Sequence, residues 1–178
     1  MPKVLLLLAD GVEETEAIAT IDVLRRAGID VVTASASGTI VTGRNKIRIY
    51  ADQILMDMET AKYDALVLPG GSGAVQNFEN NQSVQNIVRN FAGQGKLVAA
   101  ICAAPKVLVK LGLLKDKRAT IAPGMEKLLD RPRPDKVVVD GNIITSQGPG
   151  TAIEFGLKIV EQLQGRGAAD KLRMEVVA

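Results

Sequence analysis

Residues 97–105 read Leu97-Val98-Ala99-Ala100-Ile101-Cys102-Ala103-Ala104-Pro105. Leu97–Ile101 are apolar without alternation, the pattern of a strand buried on both faces. Pro105–Leu111 predicts a helix that stops at Gly112, which leaves Cys102 at a strand-to-helix turn. A sharp turn of that kind crowds the positions two before and two after the turning residue, and these are Ala100 and Ala104. The stretch therefore has the pattern of a nucleophile elbow. A cysteine there faces the first amides of the following helix, whose partial positive charge favours thiolate, so a lowered thiol pKa is expected. Most lone cysteines are buried structural residues; the elbow favours a reactive one.

Further apolar runs repeat the pattern along the chain. Val4–Leu8 ends at Asp10-Gly11 and precedes a helical stretch, Glu13–Ala27, with Ile18, Ile21, Val23 and Leu24 on its apolar side and Gly28 as the stop. Val31-Val32 begin a second strand, and residues 37–60 predict a short antiparallel excursion containing Ile47–Tyr50, followed by Met56–Ala61. Ala65–Leu68 is a buried strand broken by Pro69-Gly70-Gly71, and a helix follows through about Ser83–Phe91. Ala119–Ile121 is a short strand. The run from Asp130 to Asp135 is an extended loop, because each proline restricts its predecessor. Val137–Val139 and Ile143-Ile144 form a hairpin about Asp140-Gly141. Final helices run from about Thr151 to Leu163 and from Ala168 onward. Barely alternating strands separated by helices predict a mostly parallel sheet sandwiched by helices in one α/β domain, residues 1–178.

Ligands of open α/β sheets bind beyond the carboxyl ends of the strands. There the sequence sets Glu13, Glu14 and Glu16, then Pro69-Gly70-Gly71, then Cys102, then Ser146-Gln147-Gly148-Pro149-Gly150. Acids in a first helical turn stabilise the dipole in any case. Glu13 and Glu16 share a face, however, and a carboxylate beside a thiolate is driven to hold a proton that it can then donate. Glu16 is the candidate proton partner of Cys102. Gly70 and Gly71 let backbone N–H groups approach a developing oxyanion, with the Ala103 amide as second donor. Ser146, Gln147 and Pro149 are candidates for shaping the pocket.

The 178 residues contain one cysteine and no histidine. Ser-His and Cys-His relays are thus excluded, and the commonest transition-metal ligand is absent. No metal or cofactor is expected; acid/base chemistry falls to carboxylates or the thiol. The formal charge is +2, with 22 basic and 20 acidic residues interspersed and 3% aromatics. A basic groove interleaved with stacking rings is missing, so nucleic-acid binding is not indicated. No run approaches the ~18 apolar residues of a membrane span, and the opening apolar run is too short for a signal-peptide core. A lone thiol suits a reducing compartment, and the expected location is the cytoplasm.

The stretches LADGVEETEA, DVLRRAGI, YDALVLPGG, LVAAICAAP and ITSQGPGTAIEFGLKIVE resemble the ThiJ/PfpI superfamily, in the branch of the Parkinson-disease-associated protein deglycase (DJ-one-like). They span nearly the whole chain in the family's order. The resemblance implies a flavodoxin-like fold and a homodimer. It matches Cys102 to the elbow cysteine, Glu16 to a buried protonated glutamate, and Gly70, Gly71 and Ala103 to oxyanion-hole positions. Arg25 or Arg26, with Arg44, would match a basic cluster near the cysteine across the dimer interface. The implied activities are those of a cofactor-free glyoxalase or protein deglycase acting on small reactive carbonyls or glycated proteins, or of a redox-responsive chaperone whose cysteine oxidises to the sulfinate. One departure stands out: where many members carry a histidine near the cysteine, this chain has Ala122-Pro123. Without histidine the sister activity of a cysteine protease is not expected.

Overall fold

The computed structural model describes residues 1–56 and 58–178, so one position of the expected Met56–Ala61 stretch, Asp57, lies outside the described residues. Eleven strands occur among them: β1 (Lys3–Leu8), β2 (Asp30–Ser35), β3 (Ile40–Thr42), β4 (Arg48–Tyr50), β5 (Gln53–Ile54), β6 (Ala65–Leu68), β7 (Leu97–Ile101), β8 (Arg118–Ala119), β9 (Arg131–Pro132), β10 (Val137–Asp140) and β11 (Ile143–Ser146). The α-helices are α1 (Glu14–Arg26), α2 (Ser72–Asn80), α3 (Gln82–Gly93), α4 (Pro105–Lys110), α5 (Ala152–Gln164) and α6 (Arg166–Glu175).

Seven strands form one sheet in the order β10-β11-β7-β6-β1-β2-β5. All neighbours in it are parallel except β10 and β11, which form the expected hairpin with Val138 opposite Thr145. β3 and β4 make the expected antiparallel excursion, Val41 opposite Ile49. Every residue of β6 and β7, and all but Lys3 of β1, is buried, which is why these strands show no period-two alternation. The α/β architecture, a mostly parallel sheet flanked by helices, agrees with a flavodoxin-like fold.

Helix α1 packs on α5, and α5 on α6. A Cβ at Gly156 of α5 would stand 2.9 Å from Val23 Cγ1 of α1, so glycine permits that close approach. Ile21, Val23 and Leu24 are buried as expected, but Ile18 is 47% exposed and corrects the predicted apolar side; Ala17 and Thr20 fill the inward positions instead. Where one helix was expected near Ser83–Phe91 there are two. Asn81 separates them and caps the second, its Oδ1 accepting the N–H groups of Ser83 (3.0 Å) and Val84 (3.2 Å).

From β1 the chain steps to β2 on one side, then returns to lay β6, β7 and β11 on the other. The strand order thus reverses between β1 and β6, and a crevice is expected beyond their carboxyl ends. The β1–α1 loop, Pro69-Gly70-Gly71 and Cys102 all meet there.

Candidate functional site

Cys102 has φ 63°, left-handed backbone that few non-glycine residues adopt. The turn is held from three sides. Cys102 N–H donates to the Ser146 carbonyl (2.9 Å), the Cys102 carbonyl accepts from Ala122 N–H (2.8 Å), and Ala104 N–H donates back to Ile101 (3.0 Å). Ala100 and Ala104 are fully buried, as the crowding at an elbow requires. Strain of order 1–3 kcal/mol at such a residue persists only where its surroundings over-determine it. The side chain itself is half-buried.

Glu16 is completely buried. It enters from the first turn of α1, whose start Glu13 fixes by accepting the Glu16 N–H on its own carboxylate (3.0 Å). Glu16 Oε2 accepts the Gly70 N–H (2.7 Å), whereas Oε1 has no hydrogen-bond partner among the described residues. The carboxyl lies against the Cys102 side chain, near enough for each group to shift the pKa of the other. Gly70 makes this approach possible: a Cβ there would stand 2.7 Å from both Cys102 Cβ and Glu16 Oε2. Gly71, at φ 92°, is crowded by the β1–α1 loop, where a Cβ would meet Glu13 N at 2.6 Å.

The electrostatics correct one expectation. Burial, then the charge and hydrogen bonding of Glu16, push the Cys102 thiol up to about 12, although the amides of Ala103 and Gly71 pull the other way. Helix amides alone therefore do not produce an independent low-pKa thiolate. Burial likewise raises Glu16 to about 7, against the Gly70 amide, the Cys102 hydrogen bond and the more distant Arg44 charge. Two anions in one desolvated site repel, so the pair carries at most one negative charge near neutral pH and titrates as a unit. Sulfur can hold that charge when the proton sits on Glu16.

The remaining candidates divide. The Ala103 and Gly71 amides face the sulfur, but the Gly70 amide is committed to Glu16, which removes it from the expected oxyanion donors. Ser146 supports the elbow through its carbonyl, while its hydroxyl is engaged by Lys136 O (2.7 Å) and Thr151 Oγ1 (2.6 Å). Gln147 Nε2 donates to Pro134 O (3.0 Å), and the exposed Pro149 opens a 3₁₀ turn. Arg25 and Arg26 lie at the far end of α1, roughly 14 Å along the helix from Glu16 at ~1.5 Å per residue. They are engaged with Asp52 and with Asp22 and Glu175 respectively, so within one chain only Arg44 of the three bears on the site.

Two residues named in the sequence take roles that its local pattern did not give. Ala122, at the position of the missing histidine, sits against the Cys102 carbonyl. Glu14, far from Cys102 in role, pins α1 to the β3–β4 turn by accepting Asn45 N–H (2.7 Å) and Asn45 Nδ2 (3.0 Å). Burial raises its pKa, but its own backbone amide, Asn45 and Ile47 outweigh burial and lower it. Both contacts join residues 20 or more apart in sequence, where local pattern is silent.

Residues 2–162 match the DJ-1/PfpI family. Protein DJ-1 homolog B of Arabidopsis thaliana is 44% identical over 169 residues, 93% of this chain but 39% of that protein; the chain spans about two fifths of that relative's length. The glutathione-independent glyoxalase DJR-1.2 of Caenorhabditis elegans is 36% identical over 168 residues, 90% of this chain and 88% of that one. The structure of an oxidised DJ-1 from Toxoplasma gondii superposes with a TM-score of 0.96 at 35% identity, covering 99% and 98% of the two chains. Among the described residues no helix is long and apolar enough to cross a membrane. The strained cysteine at the crevice and these likenesses in sequence and architecture lead to one assignment: the chain belongs to the DJ-1/PfpI family.

Proposed function

We propose that this protein is a cofactor-independent cysteine enzyme acting on reactive carbonyls, of the methylglyoxal glyoxalase or protein deglycase type, with Cys102 as nucleophile and Glu16 as proton carrier in an oxidative-stress role. The observation that carries the reading is the pairing of a strained, half-buried Cys102 with a fully buried carboxyl that has one oxygen free. The relative named as a glutathione-independent glyoxalase supports it.

With methylglyoxal, Cys102 Sγ adds to the aldehyde carbon: a C–S bond forms, the carbonyl π bond breaks, and the oxygen takes the Glu16 proton. The amides of Gly71 and Ala103 stabilise that oxygen as charge develops. Glu16, now a carboxylate, removes the proton from the former aldehyde carbon and returns it to the adjacent ketone carbon, while the hydroxyl proton passes from the first oxygen to the second. The first carbon is thereby oxidised to a thioester and the second reduced to an alcohol, with no external oxidant. Water then hydrolyses the thioester, releasing lactate and restoring the thiol. No histidine assists this last step, so turnover is slow. Lactate formation by the wild type, Cys102→Ala and Glu16→Ala tests the assignment; equal rates in all three end it.

A second reading is a redox sensor or chaperone without turnover, in which Cys102 oxidises to the sulfinate and a protonated Glu16 Oε1 donates to the new oxygens. The free Oε1 favours it. Intact mass after peroxide treatment decides: two added oxygens at Cys102 support sensing, and an inert thiol excludes it. In either case we place the protein in the cytoplasm, with residues 1–178 acting as one domain in a homodimer. The exposed Ile18 on α1 and the exposed Ile47 on the β3–β4 turn that Glu14 ties to α1 support a pairing face there.

A further inference from the structure

A cleft of about 360 Å³ opens beside the elbow, and its lining includes Ile121, Glu126, Pro132, Arg133, Pro134 and Gln147. Its position follows from the backbone. Ala122 donates to the Cys102 carbonyl and Ser146 accepts from the Cys102 N–H, so Ile121 and Gln147 are each one residue removed from a direct contact with the cysteine. The volume suits a small ligand.

The charge pattern is the informative feature. Arg133 and Glu126 line the same cleft, yet no ion pair joins them, and among the described residues Arg133 forms none at all. Among the described residues Glu126 accepts only the exposed Gly124 N–H (3.0 and 2.9 Å), and its own amide, then that of Gly124, lower its pKa. Ile121, Pro132 and Pro134 add apolar surface to the same lining. The prolines flanking Arg133 fix the backbone, and Arg133 N–H is tied to Ala119 O (2.8 Å). Opposite charges that line one cleft without forming an ion pair complement a ligand that carries both. The larger cleft beside Gly73 and Ala36 is lined by carboxamides and bears no charge, so it offers no such match.

We propose that this cleft binds the zwitterionic head of a free α-amino acid, its carboxylate on Arg133 and its ammonium on Glu126, with the side chain directed toward Cys102. The inference deepens the carbonyl reading and rests on it: the preferred substrates are carbonyl adducts on the side chains of free amino acids, in preference to the same adducts within a protein. In a polypeptide the α-amino and carboxyl groups are amides and offer neither charge. Arginine has one of the longest side chains, and its guanidinium takes up methylglyoxal.

The test uses L-arginine and Nα-acetyl-L-argininamide on the intact protein, in two measurements. Unmodified, each is tested for slowing alkylation of Cys102 by iodoacetamide; preformed as its methylglyoxal adduct, each is tested for lactate release. Protection at least fivefold stronger by L-arginine, and a KM at least fivefold lower for its adduct, are expected. Both advantages should vanish in Arg133→Gln and Glu126→Gln, whose side chains are exposed and outside the Cys102–Glu16 pair. Equal protection by the two compounds overturns the proposal, as does a preference that survives both substitutions. If no adduct is turned over while selective protection remains, the carbonyl reading fails and the amino-acid site stands on the protection data.

Discussion

Replacing Glu16 by Gln isolates the electrostatics on which the site depends. Glutamine keeps the shape and can keep an oxygen for the Gly70 N–H, but it cannot ionise. In the folded protein burial raises the Glu16 pKa from 4.5 to about 7, whereas in the unfolded chain the group titrates near its ordinary value. The folded state therefore holds the proton more tightly. Its full stability is present below pH ~4.5, declines as pH rises toward 7, and is level above that. A difference of roughly 2.5 pKa units corresponds to about 3 kcal/mol, the cost of keeping Glu16 ionised in the crevice at pH 8. Glu16→Gln should match the wild type near pH 4.5 and exceed it by up to that amount at pH 8, at roughly 2–4 °C of melting temperature per kcal/mol for a chain of this size. Urea unfolding from pH 4.5 to 8.5 measures it. The thiol pKa, followed by thiolate ultraviolet absorbance, should fall below about 12, since two of the three influences that raise it belong to Glu16. Parallel stability-against-pH curves for the two proteins would refute the reasoning, because Glu16 would then ionise as freely folded as unfolded.

Cys102→Gly should be more stable than Cys102→Ala by about 1 kcal/mol, because glycine adopts φ 63° without strain; thermal unfolding of both, neither forming lactate, checks it. Gly70→Ala places a methyl 2.7 Å from Cys102 Cβ and Glu16 Oε2, so a loss of about 1–3 kcal/mol and a changed iodoacetamide rate are expected from denaturant titration and alkylation kinetics. Ser146→Ala keeps the carbonyl that holds Cys102 N–H but deletes the hydroxyl bonded to Lys136 and Thr151. It should cost about 1–3 kcal/mol of stability while the alkylation rate of Cys102 stays within twofold, and a large rate loss at unchanged stability would return Ser146 to the pocket.

Much of the architecture was legible because it depends on local pattern. Unbroken apolar runs at Val4–Leu8, Ala65–Leu68 and Leu97–Ile101 mark strands covered on both faces, and Gly28 and Gly112 end helices with positive φ. The elbow was legible for the same reason: Ala100, Cys102 and Ala104 report a steric demand of one turn upon itself. The exposure of Ile18 was not legible, because helical periodicity marks an apolar stripe but not which edge of it a neighbouring helix covers. Residues 72–80 were missed as a helix, since the Pro69-Gly70-Gly71 break masks a start that only packing against α3 and α4 stabilises.

By itself the sequence determined that a cysteine stands at a cramped strand-to-helix bend, in a chain without histidine and with acids at the mouth of its first helix. Tertiary structure decided what that cysteine is. It brought Glu16 across 86 positions to the thiol, turned the Gly70 amide onto Glu16, placed the chain's own Arg25 and Arg26 at the far end of α1 and set Arg133 and Glu126 in one cleft near the elbow. The physical reason is that strand and turn formation depend on neighbouring residues, whereas desolvation and Coulomb energy depend on distance in space, which the chain sets only once the sheet has closed.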